Sequence, residues 1–592
     1  MDLSKILEQG SDVSVADARA LIEKGEVVKA VTGLISCVAK DSTNHEALCL
    51  LGDVYAMSGQ AMQAVESYGQ AVMLVPSNRD YKQKLINVTS SIVFKKMNPN
   101  LKGVLIECLE GGGVEFAHFG KAWLSVISAD QPVAAFYRLG KHSNYNSFEK
   151  AIAKFPNLDG LIEPFFLIGL GQFIVPTSEF ERWFTYLRRY VLAAIASDKV
   201  LFSDLDDIEL LGCALLKYCY FTDYVFAVSA EEQVMIDSLQ DEIAGNDKPC
   251  LSRLAILGCY TPLALLPNAK EVASSLEGGD HVSQIPKRQI EDYLAQQAIK
   301  KDIKVLTKIE DDLSKAVREQ YEEFPYPRWD EASRDLFNER TEGVLKGKKA
   351  RVLIAGCGTG KEAVQMAYAL PDAQIIAVDL SQSSLAYAIH KTKELGIENI
   401  TYMQGDIMHF GEAFEEKFDY IASAGVLHHL KDPKEGWRVL DGLLKPKGLM
   451  RIALYSSHSR WAVNHARSVI AEKNIGSDAA SIREFRENIS AHLKFKYIKN
   501  IENFYDFYSL PECRDLLFHV QECDYDLLEI KAILDEFGLE FLEFHMQNDV
   551  CAKYKKQNPD DVDARDLEKW AAWQDKNPAT VLPMHVFWCQ KV

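Results

Sequence analysis

The stretch "AGCGTGKE", Ala355 to Glu362, lies between two apolar runs and decides how the second half of this chain folds. A Gly-rich turn followed by Lys often signals phosphate, so each phosphate-binding loop can be tested against it. A P-loop requires G-x-x-x-x-G-K-[ST]; here Ala355 stands at the first Gly and Glu362 at the hydroxyl that would hold magnesium. A dinucleotide loop, G-x-G-x-x-G, needs a third small residue where Lys361 stands, a less decisive failure. What remains is G-x-G-x-G, with Gly356, Gly358 and Gly360 giving a tight turn and close backbone access without a phosphate requirement.

The flanking residues extend this reading. "RVLIAG", "QIIAVD", "ITYMQGD", "FDYIASAG" and "LMRIALYS" read as buried strands, and "KEAVQMAYAL", "SSLAYAIHKTKEL" and "KEGWRVLDGLL" as the helices between them. That alternation predicts a doubly wound α/β Rossmann-like sheet, with its ligand beyond the carboxyl ends of the strands. Asp379 closes the second strand, where a carboxylate can accept both hydroxyls of a ribose. Asp406 and Ile407 follow the third, suited to the amino group and the face of an adenine. "SAGVLHHL", from Ser423 through His428 and His429, would line the remaining end. Adenine, a free ribose diol and no phosphate describe S-adenosylmethionine as the cofactor.

The run from "VLIAGCGTG" through "AVD", "QGD" and "VLHHLKDP" resembles the class I S-adenosylmethionine-dependent methyltransferases over about 110 residues. A narrower likeness, in "VREQYEEFPYPRW", "DFYSLPECRDLLFHVQE" and "NPATVLPMHVFWCQK", is to bacterial tetratricopeptide-containing enzymes similar to the rickettsial lysine methyltransferases. The cofactor set expected from motif and resemblance is Gly356, Cys357, Gly358, Gly360, Asp379, Leu380, Asp406, Ile407 and Ser423. Tyr326 and Arg328 join it from a lid segment, either of them reaching the methionine carboxylate. Tyr321 and Trp329 belong to the same lid segment. Candidates on the acceptor side are His428, His429, Tyr455, Tyr508, His519 and Glu522, with Tyr505 and Asp515 nearby; aromatic walls and carboxylates suit an alkylammonium.

The N-terminal part is helical in pattern. In "HEALCLLGDVYAMSGQAMQAVESYGQAVMLVP", Leu48, Leu51, Gly52, Tyr55, Gly59, Ala64, Tyr68, Ala71 and Pro76 fall where a tetratricopeptide unit has its large, small and helix-ending residues. One period earlier, Gly25, Ala30, Leu34 and Cys37 mark a weaker copy. Gly52, Ala64 and Ala71 are expected as packing residues. The expected organisation is multidomain: a TPR-like α-solenoid over 1–94, a helical middle region over 95–300, a lid segment over 301–349, a methyltransferase core over 350–456, and a C-terminal α/β insertion over 457–592 that completes the domain and carries acceptor specificity. Ser178 with Glu181, and Asp204, read as helix starts, and Ser275 to Gln289 as a surface linker.

Composition limits the alternatives. The chain of 592 residues carries a net charge of -19, which disfavours a long nucleic-acid footprint. No apolar run is long enough to span a membrane, and the polar N-terminus lacks an export signal. Twelve scattered cysteines with no C-x-x-C pair suit reduced thiols in a cytoplasm and supply no zinc cluster. The expected activity is methyl transfer to a protein or peptide, at the side-chain nitrogen of lysine, with no metal. A partner protein or a second copy of the chain would use the repeats. Two other readings stay open: a methyltransferase for a small metabolite or RNA, and a scaffold with a vestigial enzyme domain.

Overall fold

The computed structural model describes residues 13–592, except 97, 279–281, 324, 330, 335–344, 346, 348 and 547. The chain divides into two compact units, Met1–Gln289 and Ile290–Val592.

The first unit is helical. Helices Val27–Lys40 and Ala61–Leu74 have the same length of 14 residues and begin 34 residues apart. Between them lies His45–Met57, whose Gly52 lets the Tyr68 ring pack against its backbone: a Cβ there would stand 2.6 Å from the ring. Ala30, Ala47, Ala64 and Ala71 are fully buried, so the small residues serve close packing, the role expected of them. Farther on, Thr177 rather than Ser178 caps helix Ser178–Ala196, because its hydroxyl is the one placed to accept the Phe180 N–H. Helix Asp207–Phe221 begins after Asp206, two residues past the expected start. The expected linker from Ser275 to Gln289 is partly helical, since helix Gln284–Lys300 begins inside it. Pro286 sits in the first turn of that helix, where its missing N–H costs nothing.

The second unit is built on one seven-stranded sheet in the order β3-β2-β1-β4-β5-β7-β6. The strands are β1 (Arg351–Ala355), β2 (Gln374–Asp379), β3 (Ile400–Gln404), β4 (Phe418–Ala424), β5 (Leu444–Tyr455), β6 (Leu539–Phe544) and β7 (Met584–Lys591). The first five are parallel, and β7 runs antiparallel between β5 and β6. Alternate residues of β1 enter opposite cores: Leu353 packs with Ile376, Ile421 and Ile452, and Val352 and Ile354 with Ile375, Ala377 and Tyr420. Burial on both faces explains why these strands read as unbroken apolar runs. The sheet order reverses between β1 and β4, so the Gly turn after β1 lies at the switch point.

Two additions frame that point. Before β1, residues 304–306 pair with Gln404 at the edge of β3, and helix Asp312–Glu323 follows. After β5, helices including Trp461–Glu472, Ala479–Glu487 and Leu510–Phe518 precede helix Leu527–Phe537 and β6. No helix among the described residues is long and apolar enough to cross a membrane.

Candidate active site

The turn after β1 takes its shape from glycine at two positions with different neighbours. Gly356 has φ +78°, and a Cβ there would lie 2.3 Å from Val426. Gly360 has φ +85°, and its Cβ would meet that of Ala388 at 2.6 Å, so it serves the approach of helix Gln382–Glu394 and not a ligand. Between them the Gly358 N–H donates to Asp379 at 2.7 Å, while the Ser381 N–H donates to the other carboxylate oxygen at 2.9 Å. Burial raises the Asp379 carboxyl above its ordinary value against these two donors. Each oxygen still has a lone pair for a ligand hydroxyl.

A cavity of about 320 Å³ opens over this turn. Gly356, Cys357, Gly358, Asp379, Leu380, Asp406 and Ile407 line it, together with Tyr326, all expected from the sequence. Asp406 supplies the clearest test of fit. It is 1% exposed; its Oδ1 accepts the Met408 N–H at 3.0 Å, and its Oδ2 is buried with no protein partner. Such an oxygen is costly without a donor, and an adenine amino group is a donor of the right kind. The residues present therefore fit an adenosine cofactor.

Three expected members stand elsewhere. Gly360 packs as described. Ser423 is fully buried within β4 and outside the cavity lining, because the strand turns it into the sheet interior. Arg328 lies with its guanidinium 6.0 Å from the centre of the Tyr387 ring, also outside the lining. Its neighbour Trp329 explains the direction of that segment: the indole N–H donates to the Thr359 carbonyl at 3.0 Å, and Tyr387 donates to the Trp329 carbonyl at 2.5 Å. The segment is thus pinned onto the Gly turn, with Tyr326 toward the cavity. Arg451, which sequence reading did not single out, lines the cavity instead, paired with Glu362 at 2.7 Å.

The same lining includes Tyr321, Tyr326 and His429, and a polar cluster packs behind them. Tyr321 donates to Asp515 Oδ1 at 2.5 Å and Tyr455 to Oδ2 at 3.2 Å. Burial would raise the Asp515 carboxyl, yet His429, His519 and the Tyr321 hydroxyl hold it below its usual value. The His429 ring stacks on His519 at 3.7 Å between centres, and its Nδ1 donates to the Gln521 carbonyl at 2.8 Å. His519 Nδ1 accepts the Gln521 N–H at 3.1 Å, which leaves the ring hydrogen on Nε2. Burial, then His429, pushes both His428 and His519 well below the ordinary imidazole value, so both are neutral.

Of the acceptor-side candidates, His429 lines the cavity, while His428, Tyr455 and His519 join the cluster behind it. Tyr508 does not, and Glu522 reaches the cluster only through Arg460, whose guanidinium lies 3.7 Å from the centre of the Tyr455 ring. Tyr508 donates to the Glu502 carbonyl at 3.1 Å, closing its own loop. Glu522 is buried between Arg460, at 2.5 Å, and Arg467, at 3.3 Å. His429, Asp515 and His519 have the spacing of a metal-ligand set. The His519 lone pair, however, is already used by the Gln521 N–H. Sequence reading also missed Asp506 and Arg460. Asp506 is pushed up to about 6 by burial and by the Asp515 charge, against the pull of Arg460. No local pattern marks either residue.

Residues 346–506 match the sequence model of a family described as "Methyltransferase domain". An uncharacterized protein of Synechococcus sp., syc1184_c, is 28% identical over 259 residues, 40% of this chain and 60% of that protein. The ubiquinone biosynthesis O-methyltransferase of Proteus mirabilis is 30% identical over 114 residues, 19% of this chain and 44% of the enzyme. Among solved structures, PKMT2 from Rickettsia typhi in complex with AdoHcy is similar at 17% identity and a TM-score of 0.34, over 43% of this chain and 52% of that one. The chain thus spans less than two thirds of the length of each of these proteins. Glycine turn, strand-end carboxylates and family match point the same way: residues 346–506 resemble methyltransferase domains, a family that uses S-adenosylmethionine.

Proposed function

We propose that this protein transfers a methyl group from S-adenosylmethionine to a protein acceptor, at the side-chain nitrogen of lysine. The observation that carries the reading is one cavity with two chemistries in its lining: the carboxylates Asp379 and Asp406, and the aromatic groups Tyr321, Tyr326 and His429. When bound, the cofactor supplies an electrophilic methyl on a sulfonium. Asp379 would hold the ribose, Asp406 the adenine amino group, and Ile407 and Leu380 its faces. The tyrosines and His429 would exclude water and orient the nucleophile, and orientation supplies much of the rate in a direct displacement. A lysine must shed a proton first; an aromatic, desolvated wall lowers its pKa in the required direction.

The N-terminal helices support a protein acceptor, since their 34-residue spacing and small-residue packing suit a tetratricopeptide-like groove for peptide. The sequence likeness to rickettsial lysine methyltransferases points the same way, as does a cytoplasmic setting for the scattered cysteines. The match to an O-methyltransferase of ubiquinone biosynthesis favours a small-molecule acceptor as the second reading. Fractionation of a cell extract after incubation with the enzyme and methyl-labelled cofactor separates them. Label in protein, released as methyl-lysine on hydrolysis, supports the proposal. Label confined to small molecules or RNA overturns it.

A further inference from the structure

The hydroxyl hydrogen of Tyr321 is committed to Asp515, at 2.5 Å. A phenol has one hydrogen, so the Tyr321 oxygen can only accept from anything else. Tyr455 is committed to the same carboxylate, at 3.2 Å. The cavity wall at Tyr321 is therefore an acceptor surface backed by a buried negative charge.

The charges behind the wall are unequal. Asp515, Asp506 and Glu522 supply three carboxylates, and Glu512 acts on Tyr326 from the same helix as Asp515. Arg460, at 2.5 Å, and Arg467, at 3.3 Å, both pair with Glu522; Arg460 also lies 3.7 Å from the centre of the Tyr455 ring and, with His429, draws the Asp515 carboxyl down. His428 and His519 are held neutral. Asp515 thus has two phenols for hydrogen-bond partners, and its nearest imidazole nitrogen, on His519, is 3.9 Å away. Of the cations lining the cavity, Arg451 is paired with Glu362, Lys361 is half-buried beside the Gly turn, and Lys431 is solvent-exposed. Aromatic faces add to the preference: Tyr321 and Tyr326 lie nearly parallel, 6.5 Å between centres, and such rings attract a cation.

We propose that Tyr321, with Asp515 as its positioning residue, forms an acceptor subsite that selects an alkylammonium group over a neutral hydroxyl or a carboxylate. A carboxylate would face Asp515 through one phenol, and an alcohol would offer a single hydrogen and no charge. An ammonium offers several donors and a positive charge.

The inference rests on the methyl-transfer reading, but it can fail separately. The full chain, saturated with S-adenosylhomocysteine, is titrated with n-butylammonium chloride and, in parallel, with 1-butanol, by ligand-observed NMR. The wild type is expected to prefer butylammonium by tenfold or more. Asp515→Asn is expected to lose that preference while binding S-adenosylhomocysteine within twofold of the wild type, a change in selectivity that a merely structural role would not produce. Tyr321→Phe, which keeps the ring, is expected to reduce the preference severalfold and decides the matter if Asp515→Asn does not fold. Equal binding of butanol by the wild type, no binding of either probe, or a preference retained in the folded variants overturns the inference. Methylation of a small amine alone would overturn the protein reading and leave this one standing; methylation of protein hydroxyl or carboxyl groups would overturn this one and the lysine assignment and leave methyl transfer to protein.

Discussion

Tyr321 and Asp515, 194 residues apart in sequence, meet at 2.5 Å behind the cavity wall. The contact joins the helix that precedes the Gly turn to the insertion that follows β5. Each segment alone carries no complete site; together they give the cavity an aromatic surface with a fixed charge behind it.

Glu522 lies on the same stretch of chain as Asp515 and is a carboxylate too, but it is held by two arginines. Glu522→Gln would leave the Arg460 guanidinium buried and without its counter-charge, a loss on the order of 3–5 kcal/mol. The expected result is a lowered melting temperature, by differential scanning fluorimetry, with butylammonium selectivity intact in whatever protein remains folded.

Asp506 should reveal itself through pH. Its folded-state carboxyl titrates at about 6, above its ordinary value of 3.8, so the folded chain holds a proton that the unfolded chain releases first. Stability from this group is present at low pH and falls as pH rises from about 4 through 6. A shift of that size corresponds to about 2–3 kcal/mol. Asp506→Asn should therefore melt higher than the wild type at pH 7.5, with the gap narrowing at pH 5. A gap that widens on acidification would contradict this.

Two glycines of one motif should behave differently. Gly360→Ala forces a Cβ to within 2.6 Å of Ala388 at a positive φ, an overpacking cost of about 1–3 kcal/mol that thermal melting without ligand should register. Gly358 is also at a positive φ, +51°, but has only the Tyr326 carbonyl nearby, at 3.0 Å, and its N–H holds Asp379. Gly358→Ala is expected to weaken S-adenosylhomocysteine binding with a smaller effect on melting.

The distinction between those glycines was not legible in the sequence, although the turn itself was. β1 to β5 are legible because burial on both faces makes each an apolar run, and Asp379 and Asp406 because strand ends carry the ligand in such sheets. β6 and β7 are harder: β7 inserts between β5 and β6, more than a hundred residues after β5 ends, and no local pattern announces that pairing. The same limit applies to the acceptor wall. Asp515 and Glu522 are alike as residue types, and only the tertiary fold gives one to tyrosines and the other to arginines. Arg328 was misplaced for a related reason: Trp329 and Tyr387, not charge, decide where that segment lies.

Asp406 has a buried oxygen that no protein donor reaches. Asp406→Ala removes a charged hydrogen-bond partner of the adenine, worth about 1.5–3 kcal/mol, so cofactor-product affinity should fall by roughly 10- to 150-fold. Isothermal titration at constant salt measures it.

The central claim is that an adenosine cofactor sits at the strand ends with its ribose on Asp379. Calorimetric titration of the purified chain with S-adenosylhomocysteine, beside Asp379→Ala, tests it most directly. The account predicts a single saturable site in the wild type and no measurable heat in the variant. An absence of binding by the wild type, or equal binding by both, would contradict it.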